Sequence, residues 1–382
     1  MLLCSTLDPK VSSRRDGFMS SLRVGIVGLP NAGKTTLFNA LSRAGALVAS
    51  YPFTTVEPNV GVVPVPDPRL AEVARLAECG RTVNATVRFV DIAGLVEGAS
   101  KGEGLGNRFL ANIREVDAVA HVVRAFEAGD VSHVEGSIDP VHDLELIETE
   151  LRLADLEVLA RELDRARQAA KSGNRDCLAR VEALTRIEEA VSSDNMPDRA
   201  AVARALAQNA PDAGLLVLKP TLIVLNTGES SADGERFERQ MREWAEPRGL
   251  PVLTVNAEIE AELAELEPED AAEFEVEMGI EEESLARVVR AGYELLGLIT
   301  FFSIDSGECR AWPVPTGSSA SYAAGCIHTD FERGFVKAEI VHQEDFISCG
   351  CFSAARDAGA IRLEGRDYIV QDGDVIHFKF AT

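Results

Sequence analysis

The run RVGIVGLPNAGKTTLFNALSRA, residues 23–44, decides the fold. RVGIV reads as a short buried strand and KTTLFNALSRA as a helix. Between them GLPNAGKT, Gly28 to Thr35, matches G-x-x-x-x-G-K-[ST] in the strand-to-helix setting that the motif requires. Gly28 and Gly33 permit backbone angles and close approaches that a side chain would block. The amides of the turn and the helix N-terminus then point at phosphate oxygens. In that arrangement Lys34 bridges the β- and γ-phosphates, Thr35 ligates Mg²⁺, and Thr36 comes within reach of the α-phosphate. Asn31, inside the loop, is a candidate for holding a monovalent cation such as K⁺ beside the phosphates.

Four more apolar runs follow: TVRFVD (86–91), AVAHVV (118–123), TLIVL (221–225) and PVLTV (251–255). Strands of this kind alternating with helical patterns predict an α/β fold with a mostly parallel, doubly wound sheet. Ligands in such folds bind at the carboxyl ends of the strands, where the remaining motifs fall. DIAG, Asp91 to Gly94, follows its strand as a D-x-x-G motif should. Asp91 is expected to hold Mg²⁺ through a water, and the Gly94 amide to sense the γ-phosphate. YPFTT (51–55) supplies Thr54 and Thr55, and Thr55 is the candidate for the second Mg²⁺ hydroxyl, a switch residue released after hydrolysis.

Leu95 stands where Ras-type enzymes place the glutamine that orients attacking water. An aliphatic side chain cannot do so, and slow intrinsic hydrolysis follows unless another group substitutes. His133, in the polar loop after the 118–123 run, is one such group, although it reads equally well as a surface-loop histidine. NTGE, residues 226–229, occupies the place of the guanine-reading Asn-Lys-x-Asp. Glu229 is one methylene too long to meet guanine N1 and N2 as an aspartate does, and Thr227 lacks the lysine stem that covers the ring. A site loosened in this way loses its guanine preference without gaining strong discrimination for adenine. Asn226 keeps an amide able to meet adenine N6 or N7.

The 382 residues suggest two or three domains. No run of about 18 apolar residues occurs, so no membrane span is expected. The first twenty residues, MLLCSTLDPKVSSRRDGFMS, lack the apolar core of a signal peptide. They read as a disordered or non-native extension (1–20), with Met19 an alternative initiator. Seven scattered cysteines fit a reducing cytoplasm rather than a disulfide framework, and Cys349 and Cys351 read as ordinary thiols.

The net charge of −24 argues against broad nucleic-acid binding. Residues 258–283 alone hold 13 acids and no Lys or Arg, most simply a solvated acidic face. Residues 161–186 reverse the balance, with Arg161, Arg165, Arg167, Lys171, Arg175, Arg180 and Arg186 against four acids. Leu144, Ile147, Leu151, Ala154 and Val158 form a helical seam suited to a coiled-coil hairpin. SGNRD (172–176) is its tip, and Val181, Leu184 and Ile187 lie on the returning helix. The basic cluster therefore sits at the distal end of an arm, as a contact for rRNA or for solubility alone. From Leu298 the chain turns to short β segments with one or two helices, a compact mixed-β domain.

The stretches GLPNAGKTTLFNAL, YPFTTVEPNVGVVPVPDPRL, DIAGLVEGASKGEGLGNRFL, RAWPVPTGSSASYAAGCIHTDFERGFVKAEI and RLEGRDYIVQDGDVIHF resemble the YchF-type Obg-like ATPases, from about residue 21 to 382. The resemblance implies a P-loop domain (21–140 and 215–297), an inserted helical coiled-coil arm (141–214) and a C-terminal ubiquitin-like β-grasp, or TGS, domain (298–382). It further implies ATP preference, Mg²⁺ dependence, weak hydrolysis and association with ribosomes. By position, ATP meets Asn31, Ala32, Gly33, Lys34, Thr35 and Thr36, Mg²⁺ meets Thr35 and Thr55, and Asn226, Thr227 and Glu229 frame the base. A catalytic role for His133 comes from the same resemblance. The chain departs from the pattern in residues 1–20 and in the CGCFS segment. The residues leave two other readings open: a GTPase of the wider Obg group, and a binding module whose nucleotide is only an allosteric ligand.

Overall fold

The computed structural model describes residues 22–48, 59–92, 104–126, 138–193, 196, 198–228, 231–267, 270–271, 273–274 and 284–381. Its first sheet has the order β2-β4-β1-β5-β6-β7. These strands are β1 (Arg23–Val27), β2 (Val60–Pro64), β4 (Thr86–Asp91), β5 (Ala118–Ala125), β6 (Thr221–Thr227) and β7 (Val252–Val255). All neighbours run parallel except β2 against β4. Every residue of β5 is buried, as expected of a central strand covered on both faces.

The two faces follow the period-2 alternation of the strands. Val24, Ile26, Ala118, Ala120 and Val122 pack with Leu37 and Leu41 of α1 (Lys34–Val48) and with Val288 of the helix Ser284–Leu295. Val27 and Val119 pack on the other face with Phe109, Leu110 and Ile113 of the helix Gly104–Glu115. The sheet is therefore doubly wound, and the α/β expectation holds. No helix among the described residues is long and apolar enough to cross a membrane.

The arm departs from the main body after β5. Its long helix α4 runs Pro140–Ala170, 31 residues or about 46 Å. Asp139 caps it by accepting from His142 N, with proline at the first helical position. Asn174 caps the return helix α5 (Arg175–Ser192) at the tip. Of the expected seam, Ile147, Leu151 and Ala154 are buried in one cluster with Leu184 and Ile187 of the return helix and Val158 is half-buried against it, whereas Leu144 packs with Val123, Ile223 and Phe237 of the main domain. A third helix, Arg199–Asn209, lies beyond the two-helix expectation and packs Val202 and Leu206 into the same cluster.

Asp155, fully buried on α4, fastens the arm to the chain leading into β6. Its two carboxylate oxygens accept from Leu216 N and Val217 N, each at 2.9 Å. Burial pushes its pKa up to about 6 against the pull of those amides, Arg114 and Lys219.

The second sheet has the order β11-β10-β12-β8-β9-β3. Its strands β8 (Leu298–Asp305) and β9 (Glu308–Pro315) form a hairpin across Ser306 and Gly307, both at positive φ, the two-residue turn that suits the twist of paired strands. Strand β12 (Asp374–Phe380) lies parallel to β8 and antiparallel to β10 (Phe335–His342), with β11 (Arg362–Glu364) at the edge. Four short helices, Ala320–Ile327, Thr329–Arg333, Gln343–Cys349 and Phe352–Asp357, replace the one or two expected. Cys351, expected to be an ordinary thiol, caps the last of them, its Sγ accepting from Ala354 N.

The sixth strand of this sheet comes from elsewhere in the chain. β3 (Arg81–Val83), within the span expected to be purely P-loop domain, pairs in parallel with β9, Thr82 opposite Cys309. Arg69 of α2 (Pro68–Leu76) reinforces that junction, its guanidinium reaching Asp67 and, at 2.6 Å, Asp372 Oδ2.

Asp155→Ala leaves two buried amides without acceptors, at about 1–3 kcal/mol for each. Urea unfolding of this variant is expected to show a stability loss of about 2–6 kcal/mol. A loss under about 0.5 kcal/mol, the range of ordinary surface substitutions, would show that the arm does not depend on this anchor.

Candidate nucleotide site

The phosphate loop starts where β1 ends, at Gly28. A Cβ there would stand 2.3 Å from Val122 O of the neighbouring strand, so only glycine fits. Asn31 and Gly33 take left-handed backbone angles, φ 63° and 91°. The helix α1 then opens at Lys34, with Leu37 N donating to Gly33 O at 3.0 Å. This is the predicted geometry for a loop whose amides face an anion.

Lys34 is 8% exposed, and its Nζ donates to Leu29 O at 2.7 Å, folding back over the loop. Burial lowers its pKa, and the charge of Asp91 raises it in part. A phosphate oxygen offers the ammonium a stronger, charge-assisted partner than that carbonyl.

Thr35 Oγ1 donates to Asp91 Oδ2 at 3.0 Å, joining the two motifs. Strand register fixes the encounter, since Ile26 of β1 lies beside Asp91 of β4 and Ile92 N donates to Ile26 O. A hydroxyl and a carboxylate are the hard oxygen donors that Mg²⁺ takes from protein when water and phosphate complete its octahedron. The pair therefore fits that ion. Thr36, one position on, is exposed.

Asn226 sits 4% exposed at the end of β6. Its Nδ2 donates to Ala32 O at 3.0 Å, and its Oδ1 accepts from Ala257 N at 3.0 Å. With the oxygen engaged by Ala257 N, the amide keeps one free N–H, which can donate to adenine N7 but not to the N6 amine, itself a donor. Thr227 directs its methyl towards Gly234 of the helix Ser231–Ala245, 3.5 Å from the place a Cβ there would take.

Phe126, Arg124, Asn256, Ala257 and His121 carry no role in the sequence reading of this region. Phe126, just beyond β5, packs against Gly228, whose added Cβ would stand 3.0 Å from the Phe126 Cβ. The Arg124 guanidinium lies 4.8 Å from the Phe126 ring centroid, and its Nε donates to Phe126 O. An aromatic residue at the carboxyl end of a central strand was the available signal. Ala257 follows Asn256, which caps α8 (Ala257–Leu263) by accepting from Glu258 N and Ile259 N. An Asn between an apolar run and a helical pattern marks such an N-cap. His121 lies 5% exposed in β5, its pKa pulled down to about 4 by burial and then by the charge of Lys34. A histidine inside an apolar strand carries no signal of which loop it adjoins.

Thr55, Gly94, Leu95, His133 and Glu229 lie outside the described residues, as do Thr54 and the extension 1–20. At the arm tip, Arg165 and Arg180 pair with Glu162, Arg167 with Asp164, and Arg186 with Glu182. Arg161, Lys171 and Arg175 remain as the part of the basic cluster with no carboxylate partner among the described residues.

The site can be set beside known proteins. Residues 23–159 match a family model described as a 50S ribosome-binding GTPase. Residues 298–381 match the model YchF-GTPase_C, described as a protein of unknown function. The chain is 50% identical over 358 residues to the ribosome-binding ATPase YchF of Haemophilus ducreyi, covering 94% of this chain and 99% of that one. It is 46% identical over 363 residues to the protein of the same name from Bacillus subtilis, with the same coverage. The solved structure of the Schizosaccharomyces pombe YchF GTPase superposes with a TM-score of 0.83 at 32% identity, covering 94% of this chain and 98% of that one.

His121 supplies a pH dependence whose sign follows from its lowered pKa. Between pH 6.5 and about 4 the unfolded chain takes up a proton that the folded chain refuses. Stability from this group is therefore complete above pH 6.5 and is lost as pH falls, by up to about 3 kcal/mol. Melting curves of His121→Gln should fall less steeply than wild type between pH 6.5 and 4; parallel profiles would contradict the assignment.

Proposed function

The chain belongs to the YchF family, and from that premise we propose that it is a slow, ribosome-associated ATPase switch. The observation that carries the reading is the Thr35–Asp91 hydrogen bond beneath a fully formed phosphate loop. It brings together Thr35 and Asp91, two of the oxygen donors that the reading assigns to Mg²⁺.

The residues then divide the work. Amides of Ala32 to Thr36 cradle the phosphates, and Lys34 exchanges Leu29 O for the β- and γ-phosphate oxygens. Thr35, Thr55 and Asp91 would hold Mg²⁺, which would supply charge neutralisation to the phosphates. Asn31 helps hold K⁺ beside them. Gly94 senses the γ-phosphate through its amide. Leu95 cannot orient water, so intrinsic turnover is slow, and His133 takes that role when the ribosome stimulates hydrolysis. The base lies between Asn226, Thr227 and Glu229, near Phe126. With the Thr227 methyl on a neighbouring helix, no long stem covers a purine ring, and the adenine choice rests on Glu229 failing to meet guanine.

The ATP substrate and the ribosome partner draw their support from the names that the Haemophilus and Bacillus relatives carry. Contact with rRNA is assigned to Arg161, Lys171 and Arg175, the unpaired cations of the arm tip, and the setting is cytoplasmic. A second reading keeps the enzyme and changes the base: the fission-yeast relative and the N-terminal family model are both described as GTPases.

Lys34→Ala removes a charge-assisted contact worth about 1.5–3 kcal/mol. It should weaken ATP binding about 10–100-fold in equilibrium titration and remove ribosome-stimulated phosphate release. Unchanged ATP affinity in a folded Lys34→Ala protein would refute the reading.

A further inference from the structure

The arm carries a feature that neither nucleotide chemistry nor the basic tip uses. Between α4 and α5 lies a groove of about 830 Å³. Leu153, Leu156 and Ala160 line it on α4, together with Glu157 of the same helix and Glu188 and Glu189 of α5. The α4 positions fall three or four apart, which places them on one face over two turns, about 10 Å of helix. Leu153 and Ala160 stand outside the seam residues Ile147, Leu151, Ala154, Leu159 and Leu163, all buried in the arm's own core, and Leu156 lies half-buried against that core. Leu153 is instead 44% exposed, a large apolar side chain that the fold leaves uncovered.

The charges around this apolar floor share one sign. Four cations of the arm are committed elsewhere, Arg165 and Arg180 to Glu162, Arg167 to Asp164 and Arg186 to Glu182, and the unpaired Arg161, Lys171 and Arg175 are not among the residues that line the groove. Glu157, Glu188 and Glu189 keep no cationic partner among the described residues. A rim of three carboxylates repels phosphate, so a nucleic-acid backbone is the wrong occupant. An apolar floor with anionic edges complements a helix that presents leucine-like anchors at i, i+3/i+4 and i+7 with Lys or Arg on both flanks.

We propose that this groove docks a basic amphipathic helical segment of a protein partner. The arm then has two contact surfaces of opposite charge, a cationic tip for nucleic acid and an anionic groove for protein. The inference does not rest on the nucleotide reading, since the groove is complete without the P-loop.

The test is fluorescence anisotropy with the full chain, without nucleotide. The probe is a labelled synthetic peptide of about 15 residues, leucines on one face and lysines on its flanks, beside a scramble of the same composition. The patterned peptide is expected to bind at least about tenfold more tightly than the scramble. Glu157→Lys/Glu188→Lys/Glu189→Lys should weaken it at least about tenfold, and Leu153→Gln about threefold, with melting curves confirming that both variants fold. A control reversal of three exposed acids elsewhere, Glu72, Glu235 and Glu243, should change binding less than about threefold. Equal binding of the scramble, or equal losses in the groove and control variants, would overturn the proposal in favour of unpatterned attraction to an acidic chain. A concentration-dependent dimer abolished by the groove reversal would overturn it in favour of a second copy. Binding of labelled RNA weakened by the groove reversal would overturn it in favour of nucleic acid.

Discussion

The nucleotide site depends on a single crowded point. A side chain at Gly33 would place its Cβ 2.1 Å from Nδ2 of Asn226, and that same nitrogen donates to Ala32 O. The phosphate loop and the base loop are therefore fastened to each other by one amide, whose oxygen in turn holds the start of α8 through Ala257 N. The phosphate loop after β1, the end of β6 and the start of α8 after β7 are thereby tied together. Preorganised donors of this kind need no rearrangement to receive an anion. Asn226 thus shapes the site through Ala32 and Ala257, and the proposed reading leaves the choice of base to Thr227 and Glu229.

The two sheets are joined by backbone as well as by side chains. β3 leaves the first domain and extends the second sheet beside β9, while Arg69 lies between Asp67 and Asp372, 5.5 Å from the Phe302 ring centroid. Asp372 also accepts from Thr300 N at 2.8 Å, so the carboxylate is itself held by β8. The C-terminal domain is consequently docked on the segment that follows β2, not tethered by a loose linker. The arm is anchored differently, through the buried Asp155 carboxylate and the amides of Leu216 and Val217.

Much of this was legible in the chain because the signals were local and strong. A Gly-x-x-x-x-Gly-Lys-Thr loop after RVGIV leaves few alternatives, and the Leu144 to Val158 spacing fixes a helical seam. The helix Arg199–Asn209 was missed because its sequence, RAAVARALAQN, offers only Val202 and Leu206 as large apolar anchors, too thin a stripe to stand out among alanines. The placement of β3 was illegible for another reason: three residues, RTV, do not specify which of two sheets completes their hydrogen bonds. Asn226 was read as a base contact because its motif position suggests one, while its bonds to Ala32 and Ala257 join segments distant in sequence. His121 belongs with it, since only the fold brings a buried strand residue into the field of Lys34.

The central claim is that a P-loop braced by Asn226 is paired with a base loop that no longer reads guanine. Equilibrium titration of the purified chain with fluorescent ATP and GTP analogues, in Mg²⁺ and K⁺, tests it most directly. The account predicts tighter binding of the ATP analogue by at least about tenfold, or about 1.4 kcal/mol. Tighter binding of the GTP analogue would mean that Glu229 still reaches guanine, and the assignment of the base would be wrong; equal binding would contradict the preference for ATP.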